Sequence, residues 1–102
     1  MYVIRETFTA KPGMASKLAK LFCEVMPDAE QMHTRILTDF VGPFNTVVME
    51  TEVESLEEYG QRMKEYMEKP IFRDRMKGYT EMYQSGSREI YQVVNVPATM
   101  RR

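Results

Sequence analysis

The chain has 102 residues, which suits one domain. Hydrophobic residues make up 43% and charged residues 28%, the balance of a folded globular chain and not of a disordered or collagen-like one. Lys plus Arg is 14 and Asp plus Glu is 15, so the net charge of −1 argues against bulk electrostatic capture of nucleic acid.

Tyr2 to Lys11 alternates and is rich in β-branched and aromatic residues, which predicts a strand. Ile4, Glu6, Phe8 and Ala10 share one face; Val3, Arg5, Thr7 and Thr9 share the other. From Met14 to Met26 the period becomes helical, with Leu18, Leu21, Phe22, Val25 and Met26 on one stripe. Lys17, Lys20 and Glu24 fall on the wet side, and Pro27 is a stop or kink. Thr34–Val41 and Phe44–Val53 read as a hairpin turning at Gly42-Pro43. Ser55-Leu56-Glu57-Glu58 has the pattern of a capping box. The helix after it carries Leu56, Tyr59, Met63, Tyr66 and Met67 inward. Pro70 suits the first position of a second helix holding Ile71, Phe72, Met76, Tyr79 and Tyr83. Gly86 closes the helical region, and Glu89–Val96 is the last strand.

The order βαββαβ is that of an α+β, ferredoxin-like fold: an antiparallel sheet with helices on one face. Right-handed crossovers put the last strand beside the first, and the third between first and second. The far face then carries Val48, Glu50, Glu52, Arg5, Thr7 and Thr9. A partly apolar face in so short a chain predicts that a second copy packs there, giving a homodimer.

No run of about 18 apolar residues is present, so no membrane partner is expected. Arg5 and Glu6 break the first apolar stretch too early for a signal peptide. Cys23 is the sole cysteine; between Phe22 and Val25 it reads as a core thiol in a reducing cytoplasm.

The stretches Phe8-Thr9-Ala10-Lys11-Pro12-Gly13 and Gly42-Pro43-Phe44-Asn45-Thr46-Val47-Val48 carry a family likeness. So do Val53-Glu54-Ser55-Leu56-Glu57-Glu58-Tyr59 and Glu68-Lys69-Pro70-Ile71-Phe72. In order and spacing the chain resembles a dimeric α/β-barrel domain of the NIPSNAP-like and antibiotic-biosynthesis-monooxygenase-like group. The resemblance implies a dimeric barrel; it does not imply one activity, because the superfamily holds oxygenases, isomerases and members of unknown function. Its haem-degrading members place an Asn, a Trp and an axial His where this chain has Glu6, Tyr66 and Met76. With no Trp and only His33, that chemistry is not carried over. An Arg common in NIPSNAP-like first strands also falls on Glu6; Arg5 faces the opposite side and does not replace it.

Among the residues themselves, Glu6 stands out as a carboxylate on the helix-facing side. Such a group is either ion-paired to an Arg, hydrated, or tuned as a general acid or base. Tyr59, Met63, Tyr66, Phe72, Met76 and Tyr79 fit plain core filling, or the walls of an adaptable cavity for a flat, mostly apolar ligand. Any buried phenol needs a partner, and Glu6 is one. His33 sits in the approach to the second strand without a metal-ligand spacing and reads as a surface residue. Arg73, Arg75 and Lys77 beside Asp74 read as solvated surface. No metal or cofactor is expected. Two functions remain: a binding module for a small, mostly apolar or aromatic molecule, or a cofactor-independent monooxygenase or isomerase acting on an aromatic or quinol-like substrate with Glu6 as base.

Overall fold

The computed structural model describes residues 1–25 and 33–94. β1 (Tyr2–Ala10) occupies the interior of a four-stranded sheet. It pairs antiparallel with β3 (Thr46–Val53) on one side and β4 (Tyr83–Gln92) on the other. β2 (Thr34–Thr38) pairs antiparallel with β3, so the order is β2-β3-β1-β4. This is the α+β, ferredoxin-like topology that the element order implies.

Alternation along β1 divides the sheet into two faces. Ile4 and Ala10 are buried on the helix side, and Phe8 packs its ring 5.0 Å from Phe22 and 5.1 Å from Tyr83. α1 (Ala15–Val25) buries Leu18, Phe22 and Val25, spaced i, i+4 and i+7. Leu18 and Phe22 form the core under α1 with Val47 and Ala10. Cys23 is exposed, contrary to the expected core thiol. It lies one residue past Phe22, about 100° around the helix and off the buried stripe.

The outer face is a row of charge. Glu50 lies between Arg5 and Arg35, at 3.0 Å and 2.6 Å. Burial alone would raise the Glu50 pKa. Hydrogen bonds from Arg35 and Arg5, with their charges, outweigh it and hold the carboxyl below its usual value. Tyr91 donates to Glu89 at 2.6 Å while Arg5 sits over its ring.

Several boundaries differ from expectation. β2 ends at Thr38, and the turn is wider than Gly42-Pro43. The Asp39 carboxylate accepts the Thr46 N–H at 2.9 Å, and Asn45 is left-handed at φ 63°. The second helical region breaks in two: a helix over Pro70–Arg75, then a 3-10 turn over Tyr79–Glu81. Gly78 between them, at φ 80°, ends the helical path. The last strand starts at Tyr83 instead of Glu89, so Tyr83 and Gly86 belong to β4. Gly86 faces Phe8, whose ring lies where a side chain would point. β4 ends at Gln92; the expected end at Val96, like Met26 and Pro27, lies outside the described residues. No helix among the described residues is long and apolar enough to cross a membrane.

Candidate functional site

α2 (Leu56–Met67) starts at Ser55, whose Oγ accepts the Glu58 N–H at 3.2 Å. The Glu58 carboxylate meets Arg62 at 2.7 Å, one turn along the same helix. α2 has no fully buried residue. Its inner face is Tyr59, Met63 and Tyr66, all half-buried at i, i+4 and i+7. Leu56, Met67 and Ile71, expected inward, are 38%, 50% and 56% exposed. Leu56 and Met67 are the two ends of α2, and Ile71 lies in the first turn of α3 (Pro70–Arg75). The helix-facing side of β4 is open too: Ile90, directly opposite Ile4, is 50% exposed.

Glu6 lies on the sheet beneath α2. Its side chain is 16% exposed and its partner is Arg88, directly across the β1–β4 ladder, at 3.2 Å. Tyr59 comes down toward this pair from α2, close enough for the Glu6 carboxylate to act on its phenol. Burial first, then the Glu6 charge and hydrogen bond, push the Tyr59 phenol up to about 12; Arg88 acts the other way. Tyr59 therefore stays protonated at neutral pH. Arg88 is held protonated more firmly by Glu6. Its side chain is 63% exposed, and the pairing with Glu6 uses one of the guanidinium nitrogens, which leaves N–H groups for a further acceptor.

Tyr79 stands close enough to feel the Glu6 charge, and burial, then the neighbouring Tyr83, push its phenol up. The Tyr79 and Tyr83 rings are 5.6 Å apart. Met76, Tyr79, Met82 and Tyr83 pack against the α1 core. Tyr66 and Phe72 form a separate edge-to-face pair at 5.1 Å, with Lys69 over the Tyr66 ring.

Of the expected site residues, Glu6, Tyr59 and Tyr79 thus come together, with Met63 one turn along α2 and Met76 packed on the core beside Tyr79. Tyr66 and Phe72 pair with each other. The residue the sequence does not single out is Arg88, because the Ser85-Gly86-Ser87 stretch before it lacks strand-forming side chains. His33 is exposed at φ 49°, in keeping with a surface position before β2. Arg73, Asp74, Arg75 and Lys77 are exposed as expected. Arg75 also donates to the Glu24 carbonyl near the end of α1, at 3.0 Å. A surface depression of about 460 Å³ lies at Ser55, Glu57, Glu58, Gln61 and Arg62 and shares no residue with the Glu6 group. Among the described residues no cluster of His, Cys, Asp or Glu could hold a metal ion.

No protein-family model and no curated protein sequence matches the chain. Solved structures do. A NIPSNAP family protein of Agrobacterium tumefaciens str. C58 superposes at TM-score 0.81, with 15% identity over 95% of this chain and 96% of that one. An uncharacterized NIPSNAP-like domain protein of Burkholderia xenovorans gives 0.74, with 21% identity over 94% and 89%. A protein of Chloroflexus aurantiacus J-10-fl, whose designation as an antibiotic biosynthesis monooxygenase is itself provisional, gives 0.71 with 14% identity over 95% and 96%. The fold is the one shared by NIPSNAP-family and antibiotic-biosynthesis-monooxygenase-like structures. At these identities the likeness speaks for architecture and not for an activity.

Proposed function

We propose that the protein binds a small, flat, mostly apolar molecule between α2 and the β1–β4 half of the sheet. The observation that carries this reading is the Glu6–Arg88 pair near Tyr59, a polar anchor among the half-buried Met63 and Tyr79 and the half-exposed Ile90. Apolar walls with a few converging polar groups are the usual make-up of a small-molecule site. Glu6 accepts from a ligand hydroxyl, Arg88 donates to a carbonyl or phenolate oxygen, and the Met63 and Tyr79 side chains adapt to the ring. A second copy covers the outer face. Arg5 and Arg35 already satisfy Glu50, so covering this face strands no buried charge there. An exposed lone cysteine suits a reducing, cytoplasmic setting.

In a second reading the site is catalytic: Glu6 takes the proton of a quinol-like substrate, whose anion then reacts with oxygen without a cofactor. Glu6 is the group for this role, since Tyr59 is held protonated.

Native mass spectrometry of freshly purified protein tests the binding reading. The expected result is a dimer with a retained adduct that the Glu6→Gln protein loses. A ligand-free protein that stays bare with a panel of naphthols and quinols would contradict it. Oxygen uptake with the same quinols, abolished in Glu6→Gln, would favour the catalytic reading.

A further inference from the structure

Building on the binding reading above, we propose that the ligand at Glu6 is a neutral, flat ring whose edge carries an N–H donor beside a carbonyl acceptor, the cis-amide edge of a fused lactam. Arg88 Nη2 and Glu6 Oε2 lie side by side at 3.2 Å, across the β1–β4 ladder on the helix side of the sheet. Each keeps capacity beyond the bond between them: Nη2 has a second hydrogen and Oε2 a further lone pair. The pair therefore presents one donor and one acceptor next to each other. In a cis amide the nitrogen and oxygen stand about 2.2 Å apart, from C=O and C–N bonds of about 1.23 and 1.33 Å at a trigonal carbon. Two slightly divergent hydrogen bonds join that edge to protein atoms 3.2 Å apart. The lactam N–H donates to Glu6, and its carbonyl accepts from Arg88.

Charge selects a neutral ligand. The charges of Glu6 and Arg88 cancel, and burial keeps the neighbouring Tyr59 and Tyr79 phenols neutral. Of the acceptors Arg88 can take, a carbonyl preserves this balance. A carboxylate or phenolate would set a second negative charge beside Glu6, and an ammonium a second positive charge beside Arg88. Exposure sets the approach. The Arg88 side chain is 63% exposed and that of Glu6 16%, so a ligand reaches both from the β4 side. Ile90 lies two residues further along the same face of β4. It is 50% exposed although Ile4 opposite it is buried, and it offers bare apolar surface to the ring. A lone hydroxyl engages only one of the two positions, and a ring without the N–H leaves the Glu6 lone pair facing carbon.

Calorimetric titration with 2-quinolone, 4-quinolone and N-methyl-2-quinolone tests this. 4-Quinolone has the same atoms with N–H and carbonyl on opposite sides of the ring, and the N-methyl compound lacks the donor. 2-Quinolone should bind at least tenfold tighter than either. Glu6→Leu should bring the ratio between 2-quinolone and its N-methyl derivative to about one. Arg88→Met should weaken those two together and leave their ratio standing, with melting curves confirming that both variants fold. Equal binding of the two isomers, or a preference for the N–H that survives Glu6→Leu, would overturn the proposal while the wider binding reading stands. Failure of all three quinolones to bind would overturn it too; if 2-naphthol also fails, the wider reading falls with it.

Discussion

Glu6→Gln should lower the phenol pKa of Tyr59. In the folded chain that phenol stands at about 12 against an ordinary 10.0. The largest cause is burial, which the substitution leaves in place. The charge of Glu6 is removed. The midpoint should therefore fall below that of the parent and remain above 10. Arg88→Gln should shift it the other way, because a cation that favours the phenolate is lost. The linkage follows in sign. Folding raises this pKa, so the contribution to stability is complete below pH 10 and is lost as pH rises toward 12. The assay is carbon NMR of ring-labelled tyrosine against pH, with Tyr59→Phe to assign the signal among six tyrosines. Circular dichroism at each pH confirms that the chain is folded. A Tyr59 midpoint unmoved or raised by Glu6→Gln would refute the contact between them.

Other outcomes follow from the sheet and the helix start. The lowered Glu50 pKa means that its share of stability is present above about pH 4.5 and is lost as pH falls through the lowered value. Glu50→Gln should cost about 2 kcal/mol in urea unfolding at pH 7, less than a fully buried pair because Arg5 and Arg35 can rehydrate, and should flatten the acid limb. An unchanged acid limb would contradict this. Gly86→Ala would bring a Cβ to 3.2 Å from the Phe8 ring, already wedged against Phe22 and Tyr83. Urea unfolding should show a loss of about 1–2 kcal/mol; a gain would show that the ring has room. Ser55→Ala should cost about 1 kcal/mol and Ser55→Asp little; equal losses would deny the cap its role.

The fold was legible where a residue's surroundings repeat at a fixed period. β1 alternates over its whole length, and Leu18, Phe22 and Val25 mark the buried side of α1. The strand order followed from the element order alone. Legibility failed where tertiary contacts overrode local preference. Ser85-Gly86-Ser87 has weak strand propensity, yet β4 begins before it because β1 supplies a full ladder and Phe8 fills the space that Gly86 leaves. The Gly42-Pro43 pair suggested a tight turn, whereas the Asp39 carboxylate builds a wider one. For the site, a carboxylate among Ile4 and Phe8 was visible as an oddity on one strand. Its partner Arg88 lies 82 residues away, and only the β1–β4 register brings the two together. The grouping of Tyr59 with Glu6 was foreshadowed by the need of a buried phenol for an acceptor. The pairing of Tyr66 with Phe72 depends on the angle between α2 and α3, which no periodicity encodes.

The central claim is that a flat ligand enters between α2 and the sheet at Glu6. Methyl-labelled methionine NMR with 2-naphthol as probe tests it most directly. Met63 is half-buried one turn from Tyr59 and Met76 packs on the core with Tyr79, while Met67 at the end of α2 is half exposed. Saturable shifts of Met63 and Met76, with Met67 still and the affinity reduced in Glu6→Gln, are the predicted result. Shifts confined to Met67, or none at all, would contradict the account.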